Sequence, residues 1–371
     1  MDDAPQALTT AGVVVSVIVP IYNASAYLSE ALVSIERQTY RPLEVVFWDD
    51  ASTDDSLALV SAWSRTAKDG IAVIVGGCAV NGGPGFARNS AIGLSTGSLL
   101  AHFDADDVMR QERIAMQVQL FLSLPLSDRD LYLIGSNFDR LPEDSTPYYT
   151  QWLNDMSQED LVLQQFRECT IICPTWCYSR TVFDRIAKHR QTPGKAFVES
   201  SPAVLAALNL SRVPEDLYFF LDHLLLRGKL RKVVGDPLLT YRYSPAGWTL
   251  GSKKQDLQRV RAFYLEAMVL STHAWQSFQV WGSGKDGRKF LKLVSRECAA
   301  RVSRFLEVDE AKIGTKYFCR ETGRHIPIVH YKDASDAPII ICVASKRAGG
   351  DLEKNVASLN LREGVHFLHF C

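Results

Sequence analysis

Four apolar runs in the N-terminal third each stop abruptly at a polar cluster, and this alternation restricts the fold more than any other property of the chain. Val13 to Val19 is a β-branched run with the character of a fully buried parallel strand, and it ends at Pro20-Ile21-Tyr22-Asn23. Leu43 to Trp48 closes on Asp49-Asp50-Ala51-Ser52-Thr53-Asp54, and Ile71 to Val75 gives a third run. The fourth, from Leu99 to Phe103, meets Asp104-Ala105-Asp106-Asp107. Helical stretches lie between them. One starts near Ser25 with Tyr27, Leu28, Ala31, Leu32 and Ile35 as its inner face, and Ser52 or Asp54 suits the cap of the next. Strands alternating with helices predict a mostly parallel α/β sheet, whose ligands bind at the carboxyl ends of the strands.

Those ends carry three separate polar clusters. Three carboxylates within four positions after a buried strand crowd negative charge, which a hard divalent cation shared with substrate phosphates would neutralise. An acidic loop capping a helix near Gln111 is the competing reading. Between the third and fourth strands, Asn81-Gly82-Gly83-Pro84-Gly85-Phe86-Ala87-Arg88-Asn89 allows the backbone to approach a ligand closely, and Arg88 offers a cation.

Other properties bound the answer. The 371 residues suffice for two domains, and a formal net charge of -1 does not suggest a strongly basic nucleic-acid binder. The N-terminal stretch 1–12 is polar and is expected to be disordered. It lacks the character of a signal peptide, and no apolar run is long enough for a membrane span, so a cytoplasmic protein without a membrane anchor is expected. The eight cysteines form no CxxC pair. Cys169, Cys173 and Cys177 recur every four residues with Pro174 among them, which reads as structural thiols rather than a zinc site.

Beyond the fourth strand the pattern loosens. Leu131 to Ile134 reads as a strand, and residues 141–158, rich in Pro, Asp, Ser and Tyr, as a mobile loop over an acceptor side. Trp176 and Tyr178 could stack a sugar or base, although aromatics near a Pro turn commonly belong to the core. Val213-Pro214-Glu215-Asp216 opens a helix, where acidic residues serve either as first-turn capping or as a general base. Leu230 to Tyr243 reads as two short strands, and 252–274 as a helical segment.

Taken in order and spacing, Val17-Ile18-Val19-Pro20-Ile21-Tyr22-Asn23, Asp49-Asp50-x-Ser52-x-Asp54, Ala87-Arg88-Asn89 and Asp104-Ala105-Asp106-Asp107 resemble the nucleotide-sugar half of a family 2 glycosyltransferase with the GT-A fold. The resemblance implies that Pro20, Tyr22, Asn23, Asp50 and Arg88 bind the UDP-sugar. It places Asp104 on the ribose or metal and Asp106 on Mn²⁺ or Mg²⁺ at the diphosphate. It makes Asp216 the base that deprotonates the acceptor, with Glu215 as its neighbour; Trp176, read from its aromatic character, is expected on the acceptor side as well. Many relatives carry a histidine after the Tyr241-Arg242-Tyr243 strand; here Ser244-Pro245 follows, which weakens any third protein ligand.

The expected organisation is a GT-A nucleotide-diphospho-sugar transferase domain over 13–250, a helical connector over 251–277 and a smaller Rossmann-like α/β domain over 278–371. Phe278-Gln279-Val280-Trp281-Gly282-Ser283-Gly284-Lys285-Asp286-Gly287 resembles a Rossmann strand, turn and helix, with Asp309 ending a second candidate strand. Only about 90 residues remain for it, fewer than a full dinucleotide fold uses, which favours an accessory role. This tail, with Ile326-Pro327-Ile328-Val329-His330-Tyr331 and a terminal His366-Phe367-Leu368-His369-Phe370, is similar to the β-1,3-N-acetylglucosaminyltransferase-like group, understood as cytosolic queuosine-tRNA galactosyltransferases. That likeness implies inverting transfer of galactose from UDP-galactose to queuosine in tyrosine tRNA. Transfer of N-acetylglucosamine to a galactose-ended glycan is one alternative, and a nonenzymatic nucleotide-sugar or tRNA-binding protein is another. Three basic groups are candidate tRNA contacts: Arg185, Lys188, Arg190 and Lys195; Arg227, Lys229, Arg231 and Lys232; Lys285, Arg288, Lys289 and Lys292.

Overall fold

The computed structural model describes residues 12–244, 251–343 and 351–370, so the expected N-terminal disorder and Pro245 fall outside the described residues. Two compact units are present, one formed by the residues up to Leu161 with Thr170–Ser252, the other by Val162–Cys169 with the residues from Lys253 onward.

In the first unit the predicted alternation is realised. In chain order come β1 (Val15–Ile21), α1 (Ser25–Glu36), β2 (Leu43–Asp50), α2 (Ser56–Ser64), β3 (Ile71–Cys78), α3 (Pro84–Leu94), β4 (Leu99–His102), β5 (Val108–Met109) and α4 (Arg113–Ser123). They are followed by β6 (Tyr132–Ser136), β7 (Phe138–Leu141), α5 (Pro147–Asn154), α6 (Asp160–Leu163), β8 (Cys177–Ser179), α7 (Arg180–His189), α8 (Pro202–Leu208), α9 (Glu215–Leu225), β9 (Lys229–Val233) and β10 (Leu239–Arg242). The main sheet has the order β3-β2-β1-β4-β8-β6-β9. Its first four strands are parallel, and β8 runs antiparallel to both β4 and β6.

Burial explains the apolar runs: Val17, Ile18, Val19, Val45, Val46, Phe47, Leu100 and Ala101 are all inaccessible to solvent. On α1 the expected face holds at Leu28, Ala31, Leu32 and Ile35, but Tyr27 turns outward, with the Arg242 guanidinium 4.7 Å from its ring centre. Residues 141–158, read as a mobile loop, instead contain the whole of α5. Its Leu153 is buried, and Arg140 Nε donates to Thr150 Oγ1 at 2.9 Å. A second sheet, β5-β10-β7, pairs β10 antiparallel with β5 and parallel with β7.

From Lys253 onward the second unit opens with α10 (Lys254–Leu265), which continues as a π-helical turn to Leu270. It then runs through β11 (Phe278–Trp281), α11 (Lys285–Leu293), α12 (Arg296–Ala300), β12 (Val302–Glu307), β13 (Lys316–Cys319), β14 (Arg324–His330), β15 (Ile339–Ile341), α13 (Asp351–Ser358) and β16 (Phe367–His369). The sheet order is β13-β14-β12-β11-β15-β16, and all strands but β13 are parallel. This is a doubly wound sheet that reverses direction between β11 and β15, where the glycine turn lies. Gly282 has φ +105°, and a Cβ on Gly287 would stand 1.9 Å from the Gly282 carbonyl oxygen, so helix and turn pack too closely for any other residue. The acidic residue closing β12 is Glu307, whose carboxylate accepts hydrogen bonds from Ser283 N and Oγ. Asp309, assigned that position from sequence, lies past the strand end and pairs with Lys312.

Among the described residues no helix is long and apolar enough to cross a membrane.

Candidate functional site

The carboxyl ends of β1, β2 and β4 bring the predicted polar clusters to one side of the first sheet, because parallel strands in register finish together. Tyr22, just past β1, is 55% exposed, and Pro20 is half-buried. Asn23 adopts the left-handed region (φ 49°), which a short polar side chain tolerates. Its N–H donates to Ser52 Oγ at 2.9 Å and its Oδ1 accepts from Thr53 N at 2.8 Å, so the turns after β1 and β2 are stitched together. Asp54 completes the seam. Its carboxylate accepts from Ser56 Oγ and N and from Ser25 N at the starts of α2 and α1, and these bonds hold it well below the usual carboxylate range despite the opposing effect of burial.

Asp50 is 2% exposed, and its two oxygens accept from Gly82 N at 2.9 Å and Gly83 N at 2.8 Å. It therefore fixes the glycine loop that leads into α3. Gly83 has φ +83°, and a Cβ on Gly85 would lie 2.3 Å from the Val198 carbonyl oxygen and 3.2 Å from Glu215 Cβ. That close approach lets α3 lie against the start of α9.

Arg88, on α3, makes the central contact. Its guanidinium is buried, donating through Nη1 to Glu215 Oε1 at 2.6 Å and through Nη2 to Asp104 Oδ1 at 2.8 Å, with the Phe197 ring 5.9 Å away. Burial alone would lower its pKa, but the carboxylates of Asp104, Glu215 and Asp216 hold it above the ordinary value. Glu215 is raised by burial and by Asp216, against the pull of Arg88. Asp216, its half-buried neighbour at the first turn of α9, accepts from Leu217 N at 2.7 Å. Residues 127 apart in sequence thus meet in one ion-paired group.

Beyond β4 the three aspartates differ. Asp104 keeps 27% of its side chain exposed and gives one oxygen to Arg88. Asp106 is pushed up to about 6, first by burial and then by the charge of Asp104. Asp107 is buried; Oδ1 accepts from Arg242 N at 2.8 Å, while Oδ2 is buried without a protein partner, and burial with the Asp106 and Asp104 charges raises its pKa. Crowded carboxylates with raised pKa values suit a divalent cation, which would stabilise their ionised forms. Among the described residues no group of three or more His, Cys, Asp or Glu is arranged to hold a metal. An ion at Asp106 and Asp104 would therefore take few protein ligands and complete its shell with phosphate oxygens and water, as Mg²⁺ commonly does.

Arg242 was not singled out from sequence, yet its Nε donates to the Asp106 carbonyl oxygen at 2.8 Å and its Nη2 to Glu30 at 2.9 Å. The signal lay in the Tyr-Arg-Tyr strand, whose pairing with β5 was not legible. Trp176 requires a correction. It is fully buried, Nε1 donating to the Ile171 carbonyl oxygen, and its ring stacks on Phe219 at 5.3 Å. It forms core beneath the pocket rather than a stacking platform. Tyr178 is likewise buried, 2.6 Å from His102 Nε2. Cys173 and Cys177 are buried thiols raised by desolvation, the latter to about 12. Several candidate tRNA-binding cations also have internal partners: Arg190 pairs with Asp222, Lys229 with Asp128, Arg185 donates to the Leu226 carbonyl, and Lys232 donates to the carbonyls of Leu153 and Asn154.

Residues 16–187 match the family Glycosyl transferase family 2. Over 151 residues the chain is 30% identical to glycosyltransferase GlyG of Streptococcus pneumoniae, covering 41% of this chain and 48% of GlyG. Over 107 residues it is 36% identical to an uncharacterized glycosyltransferase of Nostoc sp., covering 29% of this chain and 32% of the relative. The match thus spans less than half the length of either relative. The crystal structure of S. aureus TarS 1–349 in complex with UDP-GlcNAc superposes with a TM-score of 0.52 at 17% identity, covering 78% of this chain and 84% of TarS. The predicted mixed α/β, GT-A type fold is borne out, and the smaller C-terminal unit is α/β as well.

Proposed function

We propose that the glycosyl transferase family 2 domain of this chain transfers galactose from UDP-galactose, with inversion, to a cyclopentenediol hydroxyl of queuosine at the wobble position of tyrosine tRNA in the cytoplasm. The observation that carries the sugar-transfer reading is the Arg88 bridge. It joins Asp104, after β4, to Glu215 at the acidic start of α9, which supports reading a donor-side cluster and a base candidate as one site. The galactose and queuosine assignments rest on the likeness of the tail motifs.

Mn²⁺ or Mg²⁺ held by Asp106, with Asp104 beside it, would supply counter-charge for the diphosphate leaving group. Tyr22, Pro20 and Asn23 with the Asp50-braced glycine loop form the nucleotide side. Glu215 is buried and bonded to Arg88, whereas Asp216 is half-buried at the first turn of α9, and the reading gives Asp216 the acceptor. The N-terminus of α9 favours its ionised form. Asp216 then takes the proton of the attacking hydroxyl, and a single displacement from the face opposite UDP inverts the anomeric centre.

The test is transfer of labelled galactose from UDP-galactose, with Mn²⁺, to tyrosine tRNA carrying queuosine or guanosine at the wobble position. Label only on queuosine tRNA supports the reading. Incorporation instead from UDP-N-acetylglucosamine into a galactose-ended oligosaccharide would retain sugar transfer and overturn the substrates.

A further inference from the structure

We infer that the surface formed by β7, β10 and α5 docks a single-stranded segment of nucleic acid, with Arg140 on a backbone phosphate and Tyr148 stacked on a base. This deepens the acceptor reading above and rests on it.

The placement follows from the second sheet. Parallel pairing sets Arg140 opposite Tyr241, and its guanidinium carbon lies 4.8 Å from that ring centre, 5.5 Å from those of Phe138 and Tyr149, and 5.6 Å from that of Tyr243. Four aromatic rings hold the cation in place, and Nε is fixed on Thr150. The adjacent Asp139 is committed to Arg110 at 2.7 Å, and among the described residues no carboxylate pairs with Arg140. It differs in this from Arg190 and Lys229, whose charges are already met within the fold.

Tyr148, in the first turn of α5, is 73% exposed and immediately precedes Tyr149, whose ring faces Arg140. The residue after Tyr241 is Arg242, bonded through its backbone N–H to Asp107 and through Nε to the Asp106 carbonyl. The platform therefore adjoins the carboxylate pocket along one strand. A neutral sugar is typically met by carboxylates and amides beside a flat ring. Here the polar partner is a cation without a counter-ion, which complements a phosphate, and an exposed ring stacks any base.

The test uses the full chain and a fluorescently labelled RNA hairpin with a single-stranded loop, measured by anisotropy over a range of salt. Tyr148→Ala is expected to weaken binding about 10-fold. Arg140→Gln should reduce the slope of log affinity against log salt by about one phosphate contact, while Arg140→Lys keeps it. Native melting transitions establish that each variant is folded. Unchanged RNA affinity and slope in Tyr148→Ala and Arg140→Gln would overturn the inference. So would loss of galactose-ended oligosaccharide binding in Tyr148→Ala with RNA binding intact. If RNA binds through these residues but queuosine tRNA receives no sugar, the platform stands and the substrate reading falls; if sugar transfer occurs and both variants match the wild type, the reverse holds.

Discussion

Replacing Arg88 by methionine removes one buried guanidinium from between two carboxylates, and the cost is calculable. Arg88 is 4% exposed and its partner Glu215 5%, so deleting the cation leaves a carboxylate in a low-dielectric interior. Breaking a buried pair from one side typically costs about 3–5 kcal/mol. Asp104, at 27% exposure, retains water and adds little. Protonation of Glu215 limits the loss. Burial already raises its folded pKa above the unfolded value, and Arg88 opposes that rise, so removing Arg88 raises it further. A carboxyl with a raised folded pKa contributes stability below its unfolded pKa and loses it as pH climbs through the folded pKa. The Arg88→Met penalty should therefore stay level up to about pH 8 and grow above it, where the wild type ionises Glu215 beside Arg88 and the variant cannot. Adding Glu215→Leu removes the stranded charge and should recover about 2–4 kcal/mol. Urea unfolding of the wild type, both single variants and the double variant measures the coupling. Additivity within about 0.5 kcal/mol, or a penalty independent of pH, would refute the argument.

Three further outcomes follow from the site. With Asp106 raised to about 6, Mn²⁺-dependent UDP binding should strengthen as pH rises through that value, since the ligand must be ionised. Apo stability should fall over the same interval from the ordinary value of 3.8, and titration calorimetry and melting at each pH should show both trends flattened in Asp106→Asn. Asp50→Ala leaves Gly82 N and Gly83 N without their acceptor, which should cost about 3 kcal/mol in chemical denaturation and weaken UDP binding; an unaltered UDP affinity would remove the loop from the nucleotide side. Trp176→Ala should destabilise by about 3–5 kcal/mol as a core truncation, whereas Trp176→Phe, if folded, should leave the acceptor KM unchanged; a raised KM would restore Trp176 to the acceptor side.

Much of the first unit was legible because local and global signals coincide there. The β-branched runs at Val15–Ile21 and Leu43–Asp50 are strands since both faces are covered, and their polar endings fall together because parallel register leaves them no other place. Long-range partners were harder to read. Nothing near Arg88 in sequence announces Glu215, and Asn89, which donates to the Phe197 carbonyl and accepts from Phe197 N, pins a distant loop by contacts with no local pattern. Strand β8 is three residues long, too short for periodicity, and β13 pairs only with β14 at a sheet edge. Trp176 showed a similar ambiguity: an aromatic beside Pro174 has the same sequence character whether it faces solvent or core, and stacking with Phe219 and Phe197 decided it.

The measurement that tests the central claim most directly is turnover of Asp216→Asn beside its affinity for UDP in the presence of Mn²⁺. The account predicts a folded variant that binds UDP as the wild type does and loses at least about 10²-fold in the rate of sugar transfer. Transfer at a near-normal rate would contradict it, and would take from the start of α9 the proton-accepting role on which the mechanism depends.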